Sequence, residues 1–579
     1  MNPQMLSQRN MSGKQLSYVH TPTNYSYSYL TVPERMQQLA RETPDKDVYV
    51  FLYPSGRRDS ISVGTLFEKS KALAKSLIQL GLKKGDVVAT CLPNDKDALI
   101  STFGVIFAGG IITHLLLRDE DGTDLQNKLR QIGVKYLVLN PGVNEEQLRA
   151  CMNFVDEIDQ SGCARSIKVP SLKMVITTSE VKGMSLLLLD DLLTGMQNDD
   201  VILPRLDPEE NIVLFSTSGS TGDCKFIPHT HHGVMIIGHQ AKESIGYKTQ
   251  DVLYSERRIA WLGGFPFMLL HDCPKVVTLT HPIANLSEHC RFTYSALLNE
   301  KCTIACVLPA TVVGLLDMYQ SMSDRQILKS IHITGLTLAS NVMNAIGVIT
   351  ERVTNCYGMS EGGVITSNHV SEKNTYLEFS TGKPVAGVEI KVVDTDEFIV
   401  EREQTGMILA RSPSMAKSYY IDGNTTLPAQ ATSGWVDTKD IGYVTEDGEL
   451  VVAGRQSDTI GVLYTGGRYM RGLITYLEAL LKDHPSVLDV VAVTVPDDVF
   501  VEIVCACVIP LPGKKLTTSE LEKIYKSKIV PGADDWEGFE RIMLFQTFPK
   551  LYTGKPDKRA LREEVMRRKN EEPKKSIFV

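Results

Sequence analysis

The sequence predicts an α/β protein, with a large N-terminal α/β domain of layered sheets and helices and a smaller C-terminal α+β unit. Three observations predict it. At 579 residues the chain can bury more than one core. From Val32 to about Asp447, helical stretches alternate with short apolar strands, and that alternation implies layers. From about Arg455 the pattern changes to a short helix, two long strands and a second helix of their own. With 43% apolar and 22% charged residues and a mean hydropathy of −0.08, the composition is that of a globular chain. A net charge of −8 supplies no broad basic face, which argues against a nucleic-acid partner. Eleven cysteines are scattered without CxxC pairs, as in a chain that keeps its thiols reduced.

Residues 1–33 hold no Asp or Glu and only Arg9 and Lys14 as basic groups, which predicts an arm too poor in apolar residues to order itself. Ala98 to Leu117 lacks every charged residue and is long enough to span a bilayer. The Gly109-Gly110 break, His114 and the flanking Asp95, Lys96, Asp97 and Arg118 instead predict a buried helix, a glycine turn and a strand over Ile111 to Leu117, with no integral membrane segment. Asp86 to Cys91, Tyr136 to Leu139 and Lys173 to Thr177 read as strands. In the C-terminal unit, Tyr476 to Leu481 reads as a helix, and Val487 to Val495 and Glu502 to Ile509 as strands. Thr517-x-x-Glu520 is the capping box that opens the next helix.

Ile212 to His231 is the most informative stretch. The apolar run Ile212 to Phe215 predicts a buried strand, and Thr217, Ser218, Gly219, Ser220, Thr221 and Gly222 follow it directly. Lys225 comes next, and beyond His231 the spacing of Val234, Ile236, Ile237, Ala241 and Ile245 suits one face of a helix. Strand, glycine-hydroxyl loop, lysine and helix form a layout for holding phosphate: glycines admit backbone N–H groups to the oxygens, hydroxyls donate and lysine brings charge. It is not a Walker A loop, because Cys224 and Phe226 flank the lysine. His229, His231 and His232 have no Cys or His partners at metal-ligand spacing.

Ser218 to Phe226, closed by Thr230-His231, resembles the phosphate loop of the adenylate-forming superfamily, which includes acyl-CoA synthetases, aryl-CoA ligases and adenylation domains. Cys224 replaces a proline and Phe226 a glycine of its pattern. Three further motifs follow in the family's order. Tyr357-Gly358-Met359-Ser360-Glu361 resembles the segment whose tyrosine faces adenine, whose hydroxyl meets phosphate and whose carboxylate holds Mg2+. Gly434 to Tyr443 resembles the motif whose carboxylate, here Asp440, accepts the ribose hydroxyls; Lys439 stands where the family has glycine. Arg455 corresponds to the arginine at the hinge, with Ser457 at the hinge itself. Thr553-Gly554-Lys555 selects Lys555 as the lysine of the adenylation step from a tail rich in basic residues. The resemblance also implies that His231, Trp261 and Gly335 line the acid pocket, that Gly335 borders the adenine as well, and that Gly466 and Gly467 lie in the loop that meets CoA.

The division implied is an arm over 1–33, an AMP-binding domain over 34–454 and a mobile lid over 455–579. The activity implied is that of an acid–thiol ligase, with ATP, Mg2+ and CoA as cofactors and cosubstrate. Such an enzyme joins a fatty or aryl acid to AMP and then transfers the acyl group to CoA. Gly461 and the longer Leu463 to Gly467 loop depart from the family and leave the acceptor open. The rivals are therefore an adenylating enzyme with another acceptor and an inactive nucleotide-binding homologue. The chain ends Ser576-Ile577-Phe578-Val579 rather than Ser-Lys-Leu, so a cytoplasmic enzyme is expected, with mitochondria the alternative because of the acid-free leader.

Overall fold

The computed structural model describes residues 15–571 except 24, 118–120, 143–144, 183, 185, 195–199, 219–223, 282, 284, 321–325, 335–342, 344, 372–376, 378, 422–424, 429–433, 457–458, 464–468, 498–500, 529–540 and 552–554. Two sheets dominate it. In the 14-stranded sheet the strands Asp47–Leu52, Lys275–Leu279, Val252–Ser255, Ile304–Cys306, Ser330–Thr334 and Val353–Met359 are parallel neighbours. Antiparallel strands extend the sheet through Gly363–Val370 to Val436–Val444 and Leu450–Arg455. In the eight-stranded sheet Met174–Thr177, Tyr136–Leu139, Val87–Cys91, Ile111–His114 and Asn211–Ser218 run parallel. One continuous core joins the two sheets through the buried faces of helices Val32–Glu42, Val63–Gln79, Lys96–Phe107 and His231–Ile245. Burial on both faces explains why these parallel strands read as uninterrupted apolar runs.

The charge-free stretch is core. Helix Lys96–Phe107 opens on an Asp95 cap, Gly109 turns the chain at φ 79°, and strand Ile111–His114 is fully buried. Among the described residues no helix is long and apolar enough to cross a membrane. The arm expectation is corrected for residues 15–23 and 25–33; residues 1–14 and 24 lie outside the described ones. Strand Tyr18–His20 pairs antiparallel with Glu389–Val393, the Tyr18 hydroxyl donates to Glu389 at 2.6 Å, and Thr21 donates to the Pro384 carbonyl at 2.7 Å. A segment without a core of its own has ordered itself by completing the edge of another sheet.

Beyond Arg455 the elements pair among themselves. A hairpin of Thr459–Leu463 and Tyr469–Leu473 precedes helix Ile474–Lys482, and Val487–Asp497, Val501–Pro510 and Arg541–Leu544 form a separate sheet. The capping box closes as the sequence implies: the Thr517 N–H donates to Glu520 at 2.9 Å and the Glu520 N–H donates back to the Thr517 hydroxyl at 3.3 Å, opening helix Thr518–Lys528. Helix Lys558–Glu571 packs on Val487–Asp497.

Candidate active site

The phosphate-loop region begins on strand Asn211–Ser218 and the helix begins at His231, both as expected; the setting of Lys225 between them is what the sequence did not show. Lys225 lies on a return strand, Cys224–Thr230, with Thr217 opposite Lys225 and Ser218 opposite Cys224. The physical reason is Phe226, which is fully buried and, with Ile227, Pro228 and His229, anchors four successive residues inside. Helix His231–Ile245 starts only after that strand. Gly219, Ser220, Thr221 and Gly222 lie outside the described residues.

Lys225 is exposed, and its ammonium sits 4.8 Å from the ring centre of Tyr419. The Tyr419 hydroxyl donates to Glu361 Oε1 at 3.1 Å. Desolvation, then the Glu361 charge, hold that phenol well above its ordinary pKa, so it stays a donor. Tyr419 thus connects two motifs that the sequence keeps far apart, and nothing in Ser418–Ile421 beyond a short strand pattern marks it out. Glu361 stands in a turn after Val353–Met359, where its carbonyl accepts from the Ala416 N–H at 2.7 Å and the Ser360 carbonyl accepts from His229 at 2.7 Å. Gly358 permits the close approach before this turn, since a Cβ there would lie 2.4 Å from the Gly363 carbonyl oxygen. Met359 packs against the apolar cluster around Ile365 and Met415.

The carboxylate of the third motif and the hinge arginine meet in one ion pair. Asp440 and Arg455 are register partners on Val436–Val444 and Leu450–Arg455, and Arg455 Nε lies 3.0 Å from Asp440 Oδ1. The Tyr357 hydroxyl donates to Asp440 Oδ2 at 2.5 Å. Asp440 is 7% exposed, and its N–H donates to the Thr438 hydroxyl at 3.1 Å. A carboxylate is an acceptor-only group with about four acceptor positions, the chemistry that ribose hydroxyls require. Lys439, between Thr438 and Asp440, takes a left-handed φ of 63°, the conformation that explains glycine at this place in the resembled pattern. Sequence reasoning misses the part played by the Tyr357 hydroxyl, because its bond to Asp440 spans strands that sequence pattern cannot pair.

Lys555 has an exposed side chain, and its ammonium is held below the usual lysine range by desolvation first and the Arg455 charge second. The tail lysine therefore lies within the field of the Arg455 charge. An ammonium depressed by desolvation and by a like charge is one that an anionic ligand stabilises.

One assignment changes. His231 does not face an acid pocket: it is 1% exposed, and its Nδ1 accepts the Val32 N–H at 3.1 Å at the start of helix Val32–Glu42. Burial lowers its pKa to about 4, leaving a neutral acceptor that satisfies a helix N-terminus. His229 is likewise neutral, lowered to about 4 by burial. Trp261 is half-buried before the turn Leu262–Gly264, with its N–H bonded to the Arg258 carbonyl. Gly335, Ser457, Gly466 and Gly467 lie outside the described residues.

The family model described as AMP-binding enzyme matches residues 36–420. Among curated relatives, 4-coumarate–CoA ligase-like 1 of Arabidopsis thaliana is 23% identical, covering 93% of this chain and 94% of that protein. A mitochondrial medium-chain acyl-CoA ligase of Mus musculus is 24% identical, covering 95% of this chain and 90% of its own length. Among solved structures, an anthranilate CoA ligase in complex with anthranoyl-AMP aligns with a TM-score of 0.75 at 20% identity, over 93% of this chain and 97% of that one. At that identity the likeness shows the fold, a large domain with a smaller C-terminal one.

Proposed function

We propose a function from one premise: this chain belongs to the AMP-binding enzyme family, whose model spans residues 36–420. Our reading is an ATP-dependent acid–thiol ligase that converts a carboxylic acid to an acyl-adenylate and passes the acyl group to CoA. The observation that supports it is the buried Asp440 bracketed by Tyr357 and Arg455, with Lys555 in the same field.

In this reading Asp440 accepts the ribose hydroxyls, while Tyr357 and Arg455 fix its orientation. Lys225 and the Thr217 to Gly222 loop hold the outer phosphates. Glu361 fits Mg2+ as a single half-buried carboxylate with one tyrosine donor, since Mg2+ commonly takes one or two carboxylates beside substrate phosphates. That ion, when bound, neutralises phosphate charge. Lys555 stabilises the charge shared by the attacking carboxylate and the α-phosphate. Rotation of residues 455–579 about Ser457 then withdraws Lys555 and brings the Gly466-Gly467 loop to the thiol. Gly335 and Trp261 border the acid.

Acid-dependent exchange of labelled pyrophosphate into ATP tests adenylation, and its absence across an acid panel would favour an inactive nucleotide-binding homologue. Adding CoA then separates the ligase, which releases AMP with thioester, from an adenylating enzyme with another acceptor. We place the protein in the cytosol, with mitochondria as the alternative. Cell fractionation with N-terminal sequencing distinguishes the two, because a processed N-terminus in the matrix fraction contradicts the cytosolic placement.

A further inference from the structure

Level with the carboxyl ends of strands Val252–Ser255 and Ile304–Cys306 lies a second group of polar side chains that the adenylation chemistry does not use. Strand register aligns Ser255 with Cys306, Cys306 with His332, and His332 with Thr354, so one face of the sheet carries all four. Two residues beyond Ser255 stands Arg257, and two beyond Thr354 stands Cys356. In open α/β sheets this carboxyl edge is where ligands enter.

Arg257 is 8% exposed, and among the described residues its guanidinium makes no hydrogen bond or ion pair; Nη2 in particular is buried without a partner. The neighbouring acid is committed elsewhere. Glu256 receives His289 Nε2 at 2.6 Å, the Thr311 hydroxyl at 3.0 and 3.1 Å, and the Leu308 N–H. No thiolate compensates either, because burial pushes Cys306 up to about 11 and Cys356 up to about 12. His332, 3% exposed, has Nε2 3.2 Å from Cys356 Sγ and an Nδ1 with no partner. Burial, then the Arg257 charge, keep its imidazole neutral. A buried guanidinium cannot shed its proton, and an uncompensated buried charge is costly unless a ligand pairs with it.

We propose that Arg257 and His332 form an anion subsite selecting an acid with a second carboxylate at the end remote from the one activated. The guanidinium supplies a planar two-pronged donor matched to a carboxylate, and the imidazole can add a third hydrogen bond. Gly263 lies against the guanidinium, where a Cβ would be 3.0 Å from Nη1, so the approach to Arg257 is lined by the same turn that follows Trp261. The role in turnover rests on the proposed adenylation; the anion subsite itself does not.

The test uses acids of matched chain length ending in either a carboxylate or a methyl group, with wild type, Arg257→Met and Arg257→Lys. In pyrophosphate exchange the wild type should favour the dicarboxylates by about 10²-fold or more in kcat/KM, as expected for a site whose buried donors reject a ligand that leaves them unpaired. Arg257→Met should lose that preference and accept methyl-ended acids at least as well as wild type, while Arg257→Lys keeps part of it. Without ATP, a dicarboxylate should raise the Tm of wild type but not of Arg257→Met, and inorganic phosphate at equal concentration should raise neither. Shifts of this kind without exchange would support the subsite and sink adenylation. Equal use of both acid series by the wild type would sink the subsite and leave adenylation standing, an outcome that needs no folded variant. A Tm shift with phosphate as large as with dicarboxylate, or an equal loss of both acid series in Arg257→Met, would also overturn it.

Discussion

Asp440 and Glu361 are the two carboxylates of the candidate site, and they are held in opposite ways. Asp440 is buried on a strand, paired in register with Arg455 and receiving the Tyr357 hydroxyl from a third strand of the same sheet. Glu361 is half-buried in a turn and, among the described residues, receives one tyrosine hydroxyl from the edge region of the other sheet. A group whose partners are fixed by sheet register keeps its orientation before any ligand arrives, which is what recognition of a sugar demands. A carboxylate with open lone pairs suits a cation that arrives with the phosphates. In the proposed reading the ribose side is therefore prebuilt and the metal side is completed on binding.

Lys555 offers the largest test, because it approaches the prebuilt side from the smaller C-terminal unit. Lys555→Ala should lower adenylate formation by about 10²–10³-fold, the cost of losing one preorganised donor to developing charge. Thioester formation from synthetic acyl-adenylate should be largely spared, as measured by single-turnover assays of each half-reaction. Equal loss in both halves would mean that Lys555 serves both conformations. Its depressed pKa sets a sign as well: the protonated ammonium is the working form, so adenylation should fall as pH rises through a value below the usual lysine range. Lys555→Arg should move that alkaline limb upward.

Asp440→Ala comes next. Removing a charged acceptor of two ribose hydrogen bonds should weaken ATP binding by about 1.5–3 kcal/mol per bond, read by titration calorimetry. The prebuilt view adds a second readout, because Tyr357 and Arg455 lose their partner even without nucleotide. The variant should also unfold at lower denaturant than wild type. If 2′-deoxy-ATP serves the wild type as well as ATP, the carboxylate does not hold that hydroxyl.

What the sequence revealed follows the same division. Local patterns located the strands 212–215 and 136–139, the turn at Gly109 and the cap at Thr517, because each depends on residues a few positions apart. Spaced motifs singled out Asp440 and Arg455, and the structure brings them into contact. The Tyr357–Asp440 bond, the Tyr419 bridge and the unpaired Arg257 depend on which strands become neighbours, and no local period encodes that. His231 shows the converse error. Its place beside the phosphate loop suggested a pocket, yet the Val32 N–H needed an acceptor nearly two hundred residues away and took the imidazole. The strand over 225–229 was hidden because its apolar residues Phe226 and Ile227 are flanked by a lysine, a proline and a histidine and show no alternation.

The open side is sharpened by Tyr419. Tyr419→Phe keeps the ring near Lys225 and deletes only the donor to Glu361, so it should raise the Mg2+ concentration needed for half-maximal exchange severalfold, on the order of 1 kcal/mol. Its KM for ATP at saturating Mg2+ should stay close to wild type. Tyr419→Ala removes the ring as well and should raise both. A phenylalanine variant that alters ATP binding and leaves the Mg2+ requirement unchanged would break the contrast between the two carboxylates.

The smallest effect concerns the bulge that aims Asp440. The Val436–Val444 strand shifts register against Gly406–Arg411 between its pairs at Asp437 and Ile441, and Lys439 inside that shift takes φ 63°. Bulges re-aim the side chains beside them, and a left-handed backbone costs a non-glycine residue about 1–2 kcal/mol. Lys439→Gly relieves that strain. It gives up an exposed ion pair with Asp437 at 2.7 Å, in the class worth roughly 0–1 kcal/mol, and adds some unfolded-state entropy. The strain term is the larger, so Lys439→Gly should stabilise the protein by about 0.5–1 kcal/mol in urea unfolding and leave ATP affinity unchanged. Destabilisation would show that the lysine side chain does more than tolerate its backbone. Weaker ATP binding with unchanged stability would place its ammonium among the groups that meet the nucleotide, and the ribose side would then be less fully prebuilt than its buried carboxylate implies.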